Sequence, residues 1–131
     1  MRVQALNVGS FVRHFLLESE DLAELVGDKV FPLVAPEGTS FPYIAYSNTS
    51  LTSSRDKDSY FYEQDAYMTI AVCTEDYTSG VDIAMEVTRA LQRPNLVFED
   101  IEAFECTLDE RSEQFLENTY IQALVFHLKL K

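Results

Sequence analysis

The sequence predicts an α+β domain. Its core is a four-stranded, largely antiparallel sheet in the chain order β-β-α-β-β. Two N-terminal helices and one crossover helix pack on one face, and a β-hairpin arm protrudes. Three observations carry this prediction. Apolar residues recur at spacings of three and four near the N-terminus and again over 80–91. They alternate every second residue over 66–72, 104–109 and 124–130. Between these regimes lies VFPLVAPEGTSFPYIAY, residues 30–46, punctuated by three prolines and a glycine and nearly free of charge. With 131 residues, 47% of them hydrophobic, the chain has the size of a single domain, 1–131. Such a chain buries roughly two-thirds of its unfolded surface.

Ala5, Val8, Val12, Phe15 and Leu16 form the apolar stripe of a helix over 4–18, with Gly9 as a weak point inside it. Ser19 caps a short second helix. Glu20 and Asp21 lie in its first turn, Leu22, Leu25 and Val26 form its buried side, and Gly27 ends it. KVF is a short strand, Pro32 and Pro36 forbid helix, and PEGTS is turn chemistry. A strand resumes over Phe41–Asn48. Residues 49–65, TSLTSSRDKDSYFYEQD, are polar and lack a two-residue turn signal. They read as the arm, with SSRDKD at its tip. The next strand places Ala66, Met68, Ile70 and Val72 on one face.

The third helix starts at Thr78 or Ser79, with Ser79 and Asp82 as a loose capping box. It runs along Gly80, Ile83, Ala84, Val87, Ala90 and Leu91 and stops at Pro94. AFECTLDE and TYIQALVFHLKLK close the sheet. In the first, Phe104, Cys106 and Leu108 face inward. In the last, Tyr120, Leu124, Phe126, Leu128 and Leu130 form one apolar face, while Ile121, Ala123 and Val125 make the opposite face apolar as well. Helices on one side leave that second face to be covered by another subunit, or alternatively by the arm or the proline connector.

The composition excludes several classes. Net charge is −12, from 22 acids against 10 bases, which disfavours specific nucleic-acid binding and anionic membrane surfaces. The N-terminus shows no sustained apolar signal segment, so synthesis in the cytoplasm is expected. Cys73 and Cys106 read as buried free thiols, and with His14 and His127 they are too scattered for a zinc site. Asp56 and Asp58 open a calcium-like loop, but its sixth and twelfth positions are Phe61 and Tyr67, so the pattern fails. EDYTSG at 75–80 is helix capping without a phosphate-loop lysine. Glu99–Glu117 holds eight acids and one base and reads as a solvated edge or turn. No serine sits in a nucleophile elbow. The expectation is a non-enzyme with no cofactor and no metal.

LVGDKVFPLVAPEGTSFPYIAY, residues 25–46, followed by a polar excursion, the TIAVCTEDYTSGVDIAMEVTRAL strand and helix, and two strands, resembles one family. These are the tail completion, or tail terminator, proteins of long-tailed bacteriophages, the head–tail joining family. The resemblance implies a structural virion protein of the tail, made in the bacterial host cytoplasm, that caps the tail tube as a ring, commonly a hexamer. Its implied partners are further copies of itself, the tail tube protein and the head–tail connector protein, with DNA passing through the ring.

On this reading Pro36 and Phe41 of the connector, Tyr60, Phe61 and Tyr62 of the arm, and Ile121 and Val125 of the second sheet face contribute to subunit or tail contacts. Acids lining the channel would repel DNA phosphates. Two alternatives stand beside it. A monomeric or dimeric α+β domain binding a small ligand requires an apolar pocket and a covered second face. A metal-dependent hydrolase requires several of Glu99, Asp100, Glu102, Asp109 and Glu110 to converge.

Overall fold

The computed structural model describes residues 1–55 and 62–131; for 54, 55 and 62 only the backbone is described. Among the described residues the fold is α+β with three α-helices, but the sheet has six strands rather than four, in the order β1-β2-β3-β6-β5-β4. The strands are β1 Val30–Pro32, β2 Tyr43–Arg55, β3 Tyr62–Thr74, β4 Leu96–Phe98, β5 Ile101–Leu116 and β6 Thr119–Leu130. Each of the four long strands runs antiparallel to its long neighbours, and β1 runs parallel to β2. The two extra strands are three-residue edge pieces. β1 exists because Lys29 and Val30 return alongside Ile44, whose N–H donates to the Lys29 carbonyl at 2.9 Å. β4 exists because a two-residue turn with Glu99 at φ 54° folds Leu96–Phe98 back onto Ile101–Ala103.

The N-terminal helix differs in detail from its periodicity. Val3–Asn7 is a 3-10 turn, followed by α1 over Val8–Glu18 and α2 over Glu20–Val26. Ser19 caps α2 as expected, its Oγ accepting from the Leu22 N–H at 3.2 Å. Leu22 and Val26 are buried there but Leu25 is exposed. The third helix, α3, spans Tyr77–Leu91 and is capped by Asp76, not by Thr78 or Ser79. The Asp76 carboxylate accepts from the Ser79 N–H at 3.0 Å and from its hydroxyl at 2.8 Å. Those bonds hold the Asp76 carboxyl below the usual range.

The helices share one face of the sheet, where Ala66, Met68, Ile70 and Val72 of β3 and Leu124, Phe126, Leu128 and Leu130 of β6 are buried against them. Gly80, Ile83, Ala84, Val87 and Leu91 of α3 complete this core, as their spacing indicates. Gly80 is where α3 comes close to the sheet: a Cβ there would lie 3.0 Å from Thr74 Oγ1 and 3.5 Å from Gln122. On β5 a bulge between Ala103 and Glu105 breaks the expected alternation. Cys106 stays buried, but Phe104 turns outward. Cys73 and Cys106 are buried free thiols, and burial pushes the Cys106 pKa up to about 12.

Candidate assembly surface

The opposite face of the sheet is built by cross-strand rows. Tyr43, Cys73, Ile121 and Gln114 lie side by side, as do Ala45, Ala71, Ala123 and Ser112, and then Ser47, Thr69, Val125 and Glu110. Ile121, Ala123 and Val125 are half-buried, as are Ala45, Thr69 and Ala71. No described helix or strand packs on this face. Of the proline connector, Phe41 reaches it, stacking on Tyr43 with ring centroids 5.7 Å apart. Towards the β3 N-terminus the face turns polar. The Tyr67 ring stacks on His127 at 4.5 Å, His127 Nε2 meets Asp65 Oδ1 at 2.7 Å, and Lys129 pairs with Glu105 at 3.5 Å. The centre therefore offers small apolar side chains, while one end carries polar and charged groups that already have partners.

A second surface lies at the β5–β6 hairpin tip and was not singled out in the sequence. Phe115 and Leu116 are 58% and 55% exposed beside the two-residue turn Glu117–Asn118, both at positive φ. Tyr120 packs against Phe115 at 4.7 Å and against Tyr77 at 6.3 Å. Beneath them Gln122, 1% exposed, joins two charges: its Oε1 accepts from Arg111 Nε at 2.8 Å and its Nε2 donates to Glu113 Oε2 at 2.8 Å. Arg111 Nη2 also donates to Glu113, at 2.9 Å. Bonds from the Tyr77 hydroxyl and the Gln122 amide hold the Glu113 carboxyl below its ordinary range, and the same contact raises the Tyr77 phenol. The aromatics Phe115 and Tyr120 flanking the turn in FLENTY are the signal that could have revealed this surface.

The expected contact residues divide. Phe41, Ile121 and Val125 come together on the helix-free face, Phe41 through Tyr43. Pro36 lies apart in the connector, its carbonyl accepting from the Thr39 N–H at 3.1 Å, near the exposed Leu33 and Val34. Tyr60 and Phe61 fall outside the described residues, and Tyr62 contributes a backbone pair with Arg55. The first half of the segment read as an arm, up to Arg55, is the second half of β2 in the sheet.

The acids required by the hydrolase alternative are spread apart among the described residues. Among the described residues no three of His, Cys, Asp and Glu are grouped to hold a metal. Glu99 and Asp100 occupy a turn, Glu102 pairs with Lys131 at 3.8 Å, and Asp109 and Glu110 are exposed on β5. An open groove does run between α3 and β5, lined by Val81, Ala84, Met85, Leu108 and Leu124. No helix of the described chain is long and apolar enough to cross a membrane.

Residues 11–126 match the family described as "Tail completion protein gp17". Among curated proteins none matches in sequence. A chain in the solved structure "Virion of native gene transfer agent (GTA) particle" shares the fold with a TM-score of 0.79, at 21% identity over 91% of this chain and 90% of that one.

Proposed function

Because the chain belongs to the tail completion protein gp17 family and is a structural protein of a phage-type tail, we propose that it closes the head-proximal end of the tail tube as a ring and presents the surface that joins tube to head. The observation that carries this reading is the family match over residues 11–126. The helix-free sheet face, with Ile121 and Val125 and with Phe41 at its rim, supports it, because a half-buried apolar face that no described element covers is a surface left for assembly, and closing copies into a ring encloses it. Pro36 and the aromatic run Tyr60, Phe61 and Tyr62 supply further contacts to a neighbour or to the tube. The partners are further copies, commonly six in a ring, the tail tube protein and the head connector, and DNA crosses the opening without being bound. The protein works by holding surfaces together and catalyses nothing.

The test is loss and restoration in the particle that carries this chain. Disrupting its coding sequence should leave filled heads and finished tube segments apart in electron micrographs, and purified protein added to the lysate should restore joined particles. Normal joined particles in its absence would defeat the reading.

A further inference from the structure

Both edges of the sheet are only partly closed. β1 covers β2 from Ile44 to Tyr46 and leaves the outer side of Leu51–Arg55 without a described partner strand. β4 covers β5 from Ile101 to Ala103, and Gln92 Oε1 accepts from the Leu108 N–H at 3.0 Å. Beyond that point Asp109–Leu116 faces no described strand on the side away from β6. Open edges of this length are templates for pairing with another chain.

The open stretches lie at opposite ends of the sheet, and their offset is informative. Ser112 on β5 is opposite Ala123, Ala123 is opposite Ala71, and Ala71 is opposite Ala45. Ser53, the centre of the open β2 stretch, lies eight residues beyond Ala45. Discounting the bulge residue near Thr49, the offset is about 23 Å along the strands, against about 19 Å across four strands. Copies joined with that offset have strands inclined by about 50° to the ring axis, close to the tilt of about 35–45° at which sheets close into barrels.

The hand also agrees. β3 and β5 are parallel and joined through α3, and such crossovers are right-handed. Viewed from the helix side with β3 running upward, β5 therefore lies to the right with its open stretch at the top. A neighbour paired there is displaced upward, which gives the right-handed strand slope of a barrel when the helices are outside.

The flanks of the two edges complement one another. Beside the β5 edge, on the helix side, lies the groove of Val81, Ala84, Met85 and Leu108. Beside the β2 edge lies the N-terminal 3-10 turn, tied down by the Arg2 N–H to Gln64 Oε1 at 3.1 Å, with Gln64 opposite Ser53. That turn presents Val3 and Leu6 at 79% and 71% exposure. Charge agrees too: β2 contains no Asp or Glu, whereas the open β5 stretch carries Asp109, Glu110 and Glu113 against Arg111.

Resting on the ring reading above, we propose that copies of this chain join edge to edge, Asp109–Leu116 of one pairing antiparallel with Leu51–Arg55 of the next. The sheet then continues from copy to copy around the ring, with the helices outside and the face of Ala45, Ala71, Ala123 and Val125 turned to the opening. Val3 and Leu6 of one copy enter the α3–β5 groove of its neighbour.

Thr52 and Ser112 are exposed and share the helix-free face, so the double variant Thr52→Cys, Ser112→Cys with a short bis-maleimide reads the contact; the native thiols are buried. A denaturing gel should show a ladder of multimers for the double variant and monomer for each single variant. A second variant, Leu6→Asp, should keep the wild-type melting temperature and weaken self-association at least tenfold. If light scattering shows rings but the double variant gives no ladder, the edge pairing is wrong and the ring reading stands. If single variants cross-link as well as the double, the contact is between identical patches and the proposal fails. A wild-type chain that stays monomeric at millimolar concentration overturns the ring reading and the edge pairing together.

Discussion

Replacing Gln122 separates hydrogen bonding from packing beneath α3. The side chain is 1% exposed, with Gly80 of α3 above it, and it bonds to both Arg111 and Glu113. A hydrogen bond to a charged group is worth about 1.5–3 kcal/mol when the partner stays dry. Here Arg111 and Glu113 are 41% and 39% exposed, so water replaces much of what they lose. Gln122→Leu keeps most of the volume and gains apolar burial, which brings the expected cost to about 1 kcal/mol. Gln122→Ala loses the bonds and opens a cavity under the helix, for about 3 kcal/mol in total. Urea unfolding followed by far-UV circular dichroism measures both through the midpoint, at constant slope. A cost below about 0.5 kcal/mol for Gln122→Ala, or equal costs for the two variants, would refute the reasoning.

Further perturbations follow from the same geometry. Gly80→Ala gains about 1 kcal/mol of helix propensity but pushes a methyl group to 3.0 Å from Thr74 Oγ1, which is held by a 2.6 Å bond to the Asp76 carbonyl. Overpacking of this kind costs about 1–3 kcal/mol, so a net loss of about 1 kcal/mol in thermal or urea unfolding is expected. The Asp76 and Glu113 carboxyls sit below their ordinary pKa values of 3.8 and 4.5, so their contribution is complete above those values and is lost as pH falls through the depressed folded values. Melting temperatures should fall more steeply below pH 4.5 in the wild type than in the double variant Asp76→Asn, Glu113→Gln. Cys106, raised to about 12, contributes in the other direction, its stabilisation being complete below the ordinary value of 9.0 and lost as pH climbs towards 12. An aromatic disulfide reagent at pH 8 should leave it unmodified in the folded protein and react at once in urea.

The periodic elements were legible because burial imposes the period. The strip Ala66, Met68, Ile70, Val72 and the α3 stripe are buried as their spacing requires. So was the doubly apolar β6, since Ile121, Ala123 and Val125 lie opposite the core face. The short edge strands were not legible as sheet members: three residues such as Leu96–Phe98 carry no period, and only their pairing partner defines them. β5 reaches Leu116 rather than stopping near Glu110, because cross-strand pairing with β6 holds a stretch whose Asp, Glu and Ser residues have low strand propensity. The tight turn after it was hidden by Glu117, an uncommon residue at positive φ. Of the candidate site, the face carrying Ile121 and Val125 was visible in the sequence. The open edges were not, because they depend on where β1 and β4 end, which is a property of the sheet rather than of any local pattern.

Electron cryomicroscopy of intact particles carrying this chain, reconstructed at the junction of tail tube and head, tests the central claim most directly. A single ring of this fold between tube and head, its helices facing outward, is the expected density. Density for the chain elsewhere in the particle, or a junction complete without it, would contradict the assignment.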